Sequence, residues 1–154
     1  MTVRILIADD HEIVIEGIRT LLERARRDWE ICGEARNGSQ ALEMMKELKP
    51  DVAVLDVTMP SMSGLEVSKQ VSRLGLNCRV LIFTMHESDR LGVEVRAAGA
   101  EGYVLKSQAA RDLVRAIDAI LAGDTFYGAP SVSEAPAKSA KKPGTLLYQA
   151  LAFA

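Results

Sequence analysis

VRILIA, the stretch from Val3 to Ala8, is an almost continuous run of aliphatic side chains. The runs VAVL at Val52–Leu55 and RVLIF at Arg79–Phe83 have the same character. Short apolar runs without regular polar alternation are typical of strands buried on both faces, as in a parallel sheet covered by helices. These three runs therefore predict the centre of a parallel β-sheet.

Weaker strand patterns lie at Glu30–Ala35 and Tyr103–Leu105, which brings the predicted strands to five. Apolar residues recur at helical spacing in the segments after each strand. Five helices are predicted, at Glu12–Arg26, Ser39–Leu48, Gly64–Leu74, Glu87–Ala98 and Ala109–Ala122. Strict strand–helix alternation predicts an α/β fold with a doubly wound, five-stranded parallel sheet. Alternation alone does not give the strand order.

Two local signals set the predicted bounds of the second helix. Ser39 is a plausible N-cap, because serine side chains accept hydrogen bonds from the first turn of a helix. Lys49-Pro50 follows Leu48 and predicts the end of the helix, since proline cannot continue it.

Polar residues follow four of the predicted strands. Asp9 and Asp10 follow the first, Asp56 the third, Thr84 the fourth and Lys106 the fifth. Right-handed crossovers place the carboxyl ends of parallel strands on one edge of the sheet, where such folds hold their ligands. Each residue alone has an ordinary interpretation; Asp10, for instance, could simply cap the first helix. Together they predict a single polar pocket.

The composition of this pocket predicts its chemistry. Three clustered carboxylates repel one another and need a cation, and hard oxygen ligands suit Mg²⁺. A carboxylate nucleophile can take up a phosphoryl group as an acyl phosphate. A lysine and a hydroxyl group can then bind the remaining phosphoryl oxygens. We expect Asp56 to be the phosphoacceptor.

The overall composition is that of an ordinary globular protein. The 154 residues carry a formal net charge of −2, so overall charge does not indicate nucleic-acid binding. No segment approaches the ~20 apolar residues of a membrane helix, and the N-terminus lacks the features of a signal peptide. Cys32 and Cys78 lie far apart, outside any metal-ligand spacing, and we expect reduced thiols in a cytoplasmic protein.

Several short motifs within residues 1–123 fall at the predicted strand ends and turns. They are Ala8–His11, Asn37-Gly38, Pro50–Val52, Asp56–Pro60, Gly64–Glu66, Thr84–His86 and Ala97–Lys106. With these motifs the segment resembles the receiver domain of two-component response regulators. ADDH, Glu16-Gly17 and TMHE make it most similar to the NarL/FixJ-type subfamily, whose members usually carry a C-terminal helix-turn-helix domain. The resemblance implies a flavodoxin-like sheet with strand order 2-1-3-4-5.

The resemblance also implies a role for each residue of the pocket. Asp56 would accept a phosphoryl group from a sensor histidine kinase. Asp10 would bind Mg²⁺ directly and Asp9 mainly through water, with Asp56 and the backbone carbonyl of Thr58 as further ligands. Lys106 would pair with the phosphoryl oxygens or with the Asp56 carboxylate.

Two further residues would form the switch. Thr84 would move toward the phosphoryl group, and Tyr103 would rotate into the space that Thr84 leaves. Tyr103 could alternatively be a plain exposed aromatic at the end of a strand. Ser107 stands where many receivers have a proline after a cis bond, so the peptide conformation after Lys106 stays open. His86 is interpreted as a surface residue.

The domain organisation follows from a change in composition near Gly128. Residues 1–128 are predicted to form the receiver, and residues 129–143, which include the segment SVSEAPAKSAKKP, a linker. Residues 144–154 form a short apolar tail, interpreted as a tail helix or as the start of a missing DNA-binding domain. Phosphorylation is expected to promote homodimerisation, through the face of the fourth helix, fifth strand and fifth helix or through the first and fifth helices.

Other functions are considered alongside this one. A stand-alone receiver could act by binding a protein target instead of controlling transcription. A haloacid-dehalogenase-type phosphatase also uses Mg²⁺ and an aspartyl phosphate, but requires Asp-x-Asp after the first strand, where this chain has Asp9-Asp10-His11. A flavodoxin would need a phosphate-binding loop there. The chain is interpreted as a signalling switch that catalyses its own phosphorylation and dephosphorylation.

Overall fold

The computed structural model describes residues 2–127, which form a parallel sheet with helices on both faces. In chain order its elements are β1 (Val3–Ala8), α1 (Glu12–Ala25), β2 (Trp29–Ala35), α2 (Gly38–Leu48), β3 (Val52–Asp56), α3 (Gly64–Leu74), β4 (Arg79–Thr84), α4 (Leu91–Ala97), β5 (Gly102–Leu105), α5 (Ala109–Leu121) and β6 (Phe126–Tyr127). A 3₁₀ turn, Lys106–Gln108, joins β5 to α5. The strands are ordered β2-β1-β3-β4-β5-β6 and all neighbours are parallel. The predicted doubly wound fold, with order 2-1-3-4-5, is confirmed.

The sheet separates two clusters of buried apolar side chains. On one face, α2, α3 and α4 cover strand residues such as Leu6 and Ile82. On the other face, α1 and α5 cover residues such as Ile7 and Val104. Alternate residues of each strand point to opposite clusters. Burial on both faces explains why the central strands are continuously apolar in sequence.

The sixth strand was not predicted. Phe126 and Tyr127 pair with Gly102 and Tyr103 at the edge of the sheet. The Phe126 amide donates to the Glu101 carbonyl, with 3.0 Å between nitrogen and oxygen. A strand of two residues has no sequence period to detect, so this pairing depends on the tertiary structure alone.

Two predicted helix starts were wrong. Helix α2 begins at Gly38, and its N-cap is Asn37, whose side chain accepts from the Gln40 amide at 2.8 Å. Ser39 is instead inside the helix, and its amide donates to the Ser61 hydroxyl. Helix α4 begins at Leu91 instead of Glu87, after a turn closed by the Leu91 amide.

Further expectations from the sequence concern the cysteines, the peptide bond after Lys106, membrane-spanning helices and the C-terminal segments. Cys32 and Cys78 are free thiols. Residues 2–127 contain no cis peptide bond, so the bond after Lys106 is trans. No helix in this range is long and apolar enough to span a bilayer. The predicted linker at 129–143 and tail at 144–154 lie outside the described residues.

Candidate functional site

Strand register brings the predicted pocket residues together at one edge of the sheet. Asp56 is the last residue of β3 and aligns with Phe83, while Thr84 ends β4 and aligns with Leu105. Asp9 directly follows β1, beside β3. Asp9, Asp56 and Thr84 are 0%, 4% and 6% exposed, whereas Asp10 faces solvent. Two carboxylates and a hydroxyl group are thus buried at adjacent strand ends.

Lys106 provides the positive charge of the pocket. Its Nζ lies 2.9 Å from Asp9 Oδ2 and 3.3 Å from Asp56 Oδ1, and only 13% of its side chain is exposed. The 3₁₀ turn that starts at Lys106 directs the chain from β5 into α5. The ammonium also lies 5.9 Å from the centre of the Phe83 ring. One ammonium therefore balances two carboxylates.

The electrostatics of the pocket favour an additional cation. Burial and the neighbouring charge of Asp9 raise the pKa of Asp56, although Lys106 and a hydrogen bond from the Thr58 backbone amide lower it in part. Burial on its own lowers the pKa of Lys106, but its close contact with the Asp9 carboxylate and the charge of Asp56 more than compensate and raise it. The negative charge of an ionised Asp56 is thus only partly balanced by the groups around it, while Lys106 stays positively charged.

The donor set fits a divalent cation with oxygen ligands. Asp9, Asp10, His11 and Asp56 each offer one ligand atom, and these atoms lie within 4.8 Å of one another. Asp9 Oδ2 is buried and accepts no hydrogen bond of regular geometry from residues 2–127, although Lys106 lies beside it as an ion pair. A group of carboxylate oxygens, one of which is buried without a full set of hydrogen bonds, suits Mg²⁺.

His11 is a member of this cluster that the sequence did not predict. Its Nδ1 lies 3.2 Å from Asp9 Oδ1 and 3.1 Å from Asp10 Oδ1, and its backbone amide donates to Asp9 Oδ1 at 2.9 Å. Asp9 therefore accepts from His11, the residue immediately before α1, and no side chain, that of Asp10 included, caps the helix. In the sequence, the position of His11 directly after two aspartates could have indicated this role. A histidine beside carboxylates, however, does not by itself show whether it binds a metal or orients other ligands.

The loop between β3 and α3 is fixed closely against the pocket. A Cβ atom at Gly64 would lie 2.2 Å from the Asp56 carbonyl oxygen, so only glycine allows α3 to begin there. The Gly38 amide donates to the Pro60 carbonyl, which anchors the loop to the start of α2. Thr58 lies exposed in this loop, and its amide hydrogen bonds to the Asp56 carboxylate.

The two predicted switch residues lie on neighbouring strands. The Thr84 hydroxyl donates to the His86 carbonyl at 3.4 Å. Tyr103 is 7% exposed and belongs to the apolar cluster on the α2–α4 face. The alternative that Tyr103 is a plain exposed aromatic is therefore wrong in this structure. His86 itself is exposed, as expected.

Comparison with known proteins agrees with this geometry. Residues 5–118 match the response regulator receiver domain family. The transcriptional regulatory protein YdfI of Bacillus subtilis is 38% identical over 123 residues, which cover 80% of this chain and 57% of YdfI. A LuxR-family two-component response regulator from Aurantimonas has a solved structure that is 40% identical, with a TM-score of 0.77, covering 82% of this chain and 89% of that one.

A second solved structure is the signal receiver domain of the putative response regulator NarL from Mycobacterium tuberculosis. It is 34% identical with a TM-score of 0.75, covering 79% of this chain and 98% of that domain. A doubly wound sheet with an acidic pocket and a lysine at its carboxyl edge defines a receiver-type domain. The chain belongs to the response regulator receiver domain family, and proteins of the NarL/LuxR type are among its relatives.

Proposed function

We propose that this chain is a Mg²⁺-dependent phosphorylation switch in which Asp56 accepts a phosphoryl group from the phosphohistidine of a sensor kinase. The observation that carries the proposal is the buried contact between Lys106 and two carboxylates, Asp9 and Asp56, at one sheet edge. Burying charged groups costs desolvation free energy, and such costly arrangements of ionisable groups are concentrated at functional sites. Membership of the receiver family supports the same reading.

In the proposed transfer, an Asp56 carboxylate oxygen forms a bond to phosphorus as the bond from phosphorus to the histidine nitrogen breaks. The imidazole leaves with the electron pair of that bond. Mg²⁺, held by Asp9, Asp10, Asp56 and the backbone carbonyl of Thr58, would neutralise charge on the transferred group. Lys106 is close enough to Asp56 to bind a phosphoryl oxygen after transfer.

The conformational response is proposed to involve Thr84 and Tyr103. A phosphoryl group adds up to about two negative charges and new acceptor oxygens. The Thr84 hydroxyl, which now donates to a backbone carbonyl across 3.4 Å, would gain a stronger acceptor by turning toward the pocket. The space that Thr84 leaves would stabilise the Tyr103 ring in the buried position that it already occupies in this structure. Converting a rare active state into the dominant one requires a preference of about 5 kcal/mol.

The proposed output is control of transcription. The name of YdfI describes a transcriptional regulatory protein, and the chain spans 57% of its length. We propose that phosphorylation promotes pairing of two copies in the cytoplasm, and that DNA is bound by a C-terminal domain linked to this receiver. The stand-alone alternative has no specific observation in its favour.

The test is intact-mass measurement after incubation with acetyl phosphate and Mg²⁺. The wild type should gain one phosphoryl group, and Asp56→Asn should gain none. Asp89→Asn is the matched control, because Asp89 is an exposed carboxylate in the loop after β4; it should behave as the wild type. Undiminished phosphorylation of Asp56→Asn would rule out the proposed acceptor.

A further inference from the structure

The last described residue, Tyr127, packs against the switch residue Tyr103. The two residues are register partners on β6 and β5. Their ring centroids are 6.2 Å apart and the ring planes meet at 61°, an edge-to-face arrangement. Such a pair is favourable because the positive edge of one ring meets the negative face of the other. The contact joins the strand that follows α5 to the proposed switch.

Two other groups hold the Tyr127 ring in place. The guanidinium carbon of Arg96, on α4, lies 4.1 Å from the ring centroid, a cation–π contact. The Tyr127 hydroxyl donates to the Ala100 carbonyl at 3.3 Å. The ring is therefore bounded by α4, by the segment before β5 and by Tyr103. Any movement of Tyr103 out of its buried position alters this packing.

The backbone of β5 is shaped to receive β6. A Cβ atom at Gly102 would lie 1.8 Å from the Phe126 carbonyl oxygen, a distance that no side chain tolerates. The Phe126 amide meanwhile donates to the Glu101 carbonyl at 3.0 Å. The glycine immediately before Tyr103 thus allows the close approach on which the Tyr103–Tyr127 contact depends.

We propose that Tyr127 is a positioning residue that holds the Tyr103 ring in its buried conformation, so that docking of β6 and phosphorylation of the pocket stabilise each other. The inference rests on the proposed function, since it assigns Tyr103 to the switch. Coupling between two sites is reciprocal: if docked β6 favours the phosphorylated pocket, an occupied pocket favours docked β6. The coupling therefore links the pocket to β6, the strand that follows α5.

The first test measures the affinity of the full chain for beryllium fluoride, a phosphoryl mimic, in Mg²⁺ by ¹⁹F NMR. Tyr127→Ala removes the ring and should weaken binding by about fivefold. Tyr127→Phe keeps the ring and its contact with Tyr103, and should restore affinity to within about twofold of the wild type. Leu121→Ala is the stability control, because Leu121 packs on the opposite face of the sheet; its affinity should equal that of the wild type.

The second test measures hydrogen exchange of the Phe126 amide, which reports directly on β6 docking. Beryllium fluoride should slow this exchange about fivefold in the wild type and have no effect on it in Tyr127→Ala. Equal affinities for wild type and Tyr127→Ala, equal losses in Leu121→Ala and Tyr127→Ala, or unchanged Phe126 exchange would each overturn the inference alone. A wild type that binds no beryllium fluoride would overturn the proposed function and the inference with it.

Discussion

Lys106 makes its shorter ion pair with Asp9, at 2.9 Å from Nζ to Oδ2. Its distance to the proposed phosphoacceptor is longer, 3.3 Å to Oδ1 of Asp56. The lysine is therefore shared between a proposed metal ligand and the proposed nucleophile. Under the proposed function, Asp9 would hold a cation that balances its charge, and Lys106 would then be available to the phosphoryl oxygens.

Replacing Lys106 by glutamine should reduce both stability and phosphorylation. Two buried carboxylates would lose their shared counter-charge, which should lower the free energy of unfolding by about 1–3 kcal/mol in urea denaturation with EDTA. The rate of phosphorylation by acetyl phosphate should fall about 100-fold, because a charge-stabilising donor is lost. Lys69→Gln, at an exposed position on α3, is the control and should change neither quantity. A phosphorylation rate equal to that of the wild type would exclude Lys106 from the reaction.

Asp10→Ala should separate metal binding from folding. The change removes one of three mutually repelling carboxylates, so the melting temperature in EDTA should be unchanged or higher. It also removes a proposed direct ligand, so the Mg²⁺ dissociation constant should rise by about tenfold or more. Removing a group that only orients a metal ligand already weakens metal binding by about tenfold. Calorimetric titration measures the constant. Glu87→Ala, an exposed carboxylate after β4, provides the comparison. Equal Mg²⁺ affinity in wild type and Asp10→Ala would contradict the site.

The pKa of Asp56 predicts a pH-dependent penalty on stability. Burial and the charge of Asp9 raise this pKa in the folded protein. The folded state then holds the Asp56 proton more tightly than the unfolded state does, so stability falls as the pH rises through the folded pKa. Asp56→Asn cannot ionise and escapes this penalty.

Thermal melts in EDTA can detect the penalty. The melting temperature of Asp56→Asn should match that of the wild type near pH 3, where the aspartate is protonated in both states, and exceed it by a growing margin toward about pH 7. Asp28→Asn, at an exposed position before β2, is the control for replacing an aspartate by asparagine. If the difference in melting temperature between the wild type and Asp56→Asn does not change with pH, ionisation of Asp56 does not destabilise the folded protein.

The sequence predicted the pocket well because its geometry follows from topology. Asp9, Asp56 and Lys106 each stand directly after an apolar strand, and parallel strands with right-handed crossovers end on one edge. No side-chain detail is needed for that conclusion. The contact of Lys106 with both carboxylates confirms that these residues share one pocket.

Other features depend on tertiary contacts that no local pattern encodes. Asn37 and Ser39 are both acceptable N-caps, and the choice between them depends on the docking of the β3–α3 loop, whose Ser61 hydroxyl accepts from the Ser39 amide. The sixth strand depends on the close approach of Phe126 to Gly102. The contribution of His11 depends on the rotamer that brings Nδ1 between two carboxylates. Each is settled by groups distant in sequence or by side-chain conformation.

The most direct test of the central claim is to locate the phosphoryl group chemically. The wild-type chain is incubated with acetyl phosphate and Mg²⁺, treated with sodium borohydride and digested, and the peptides are sequenced by mass spectrometry. Borohydride reduces an aspartyl phosphate to homoserine, so the site of transfer is marked permanently. We predict homoserine at position 56 and at no other aspartate, and none when EDTA replaces Mg²⁺. Homoserine at position 9 or 10 instead, or no conversion at position 56, would contradict the assignment of Asp56 as the phosphoacceptor.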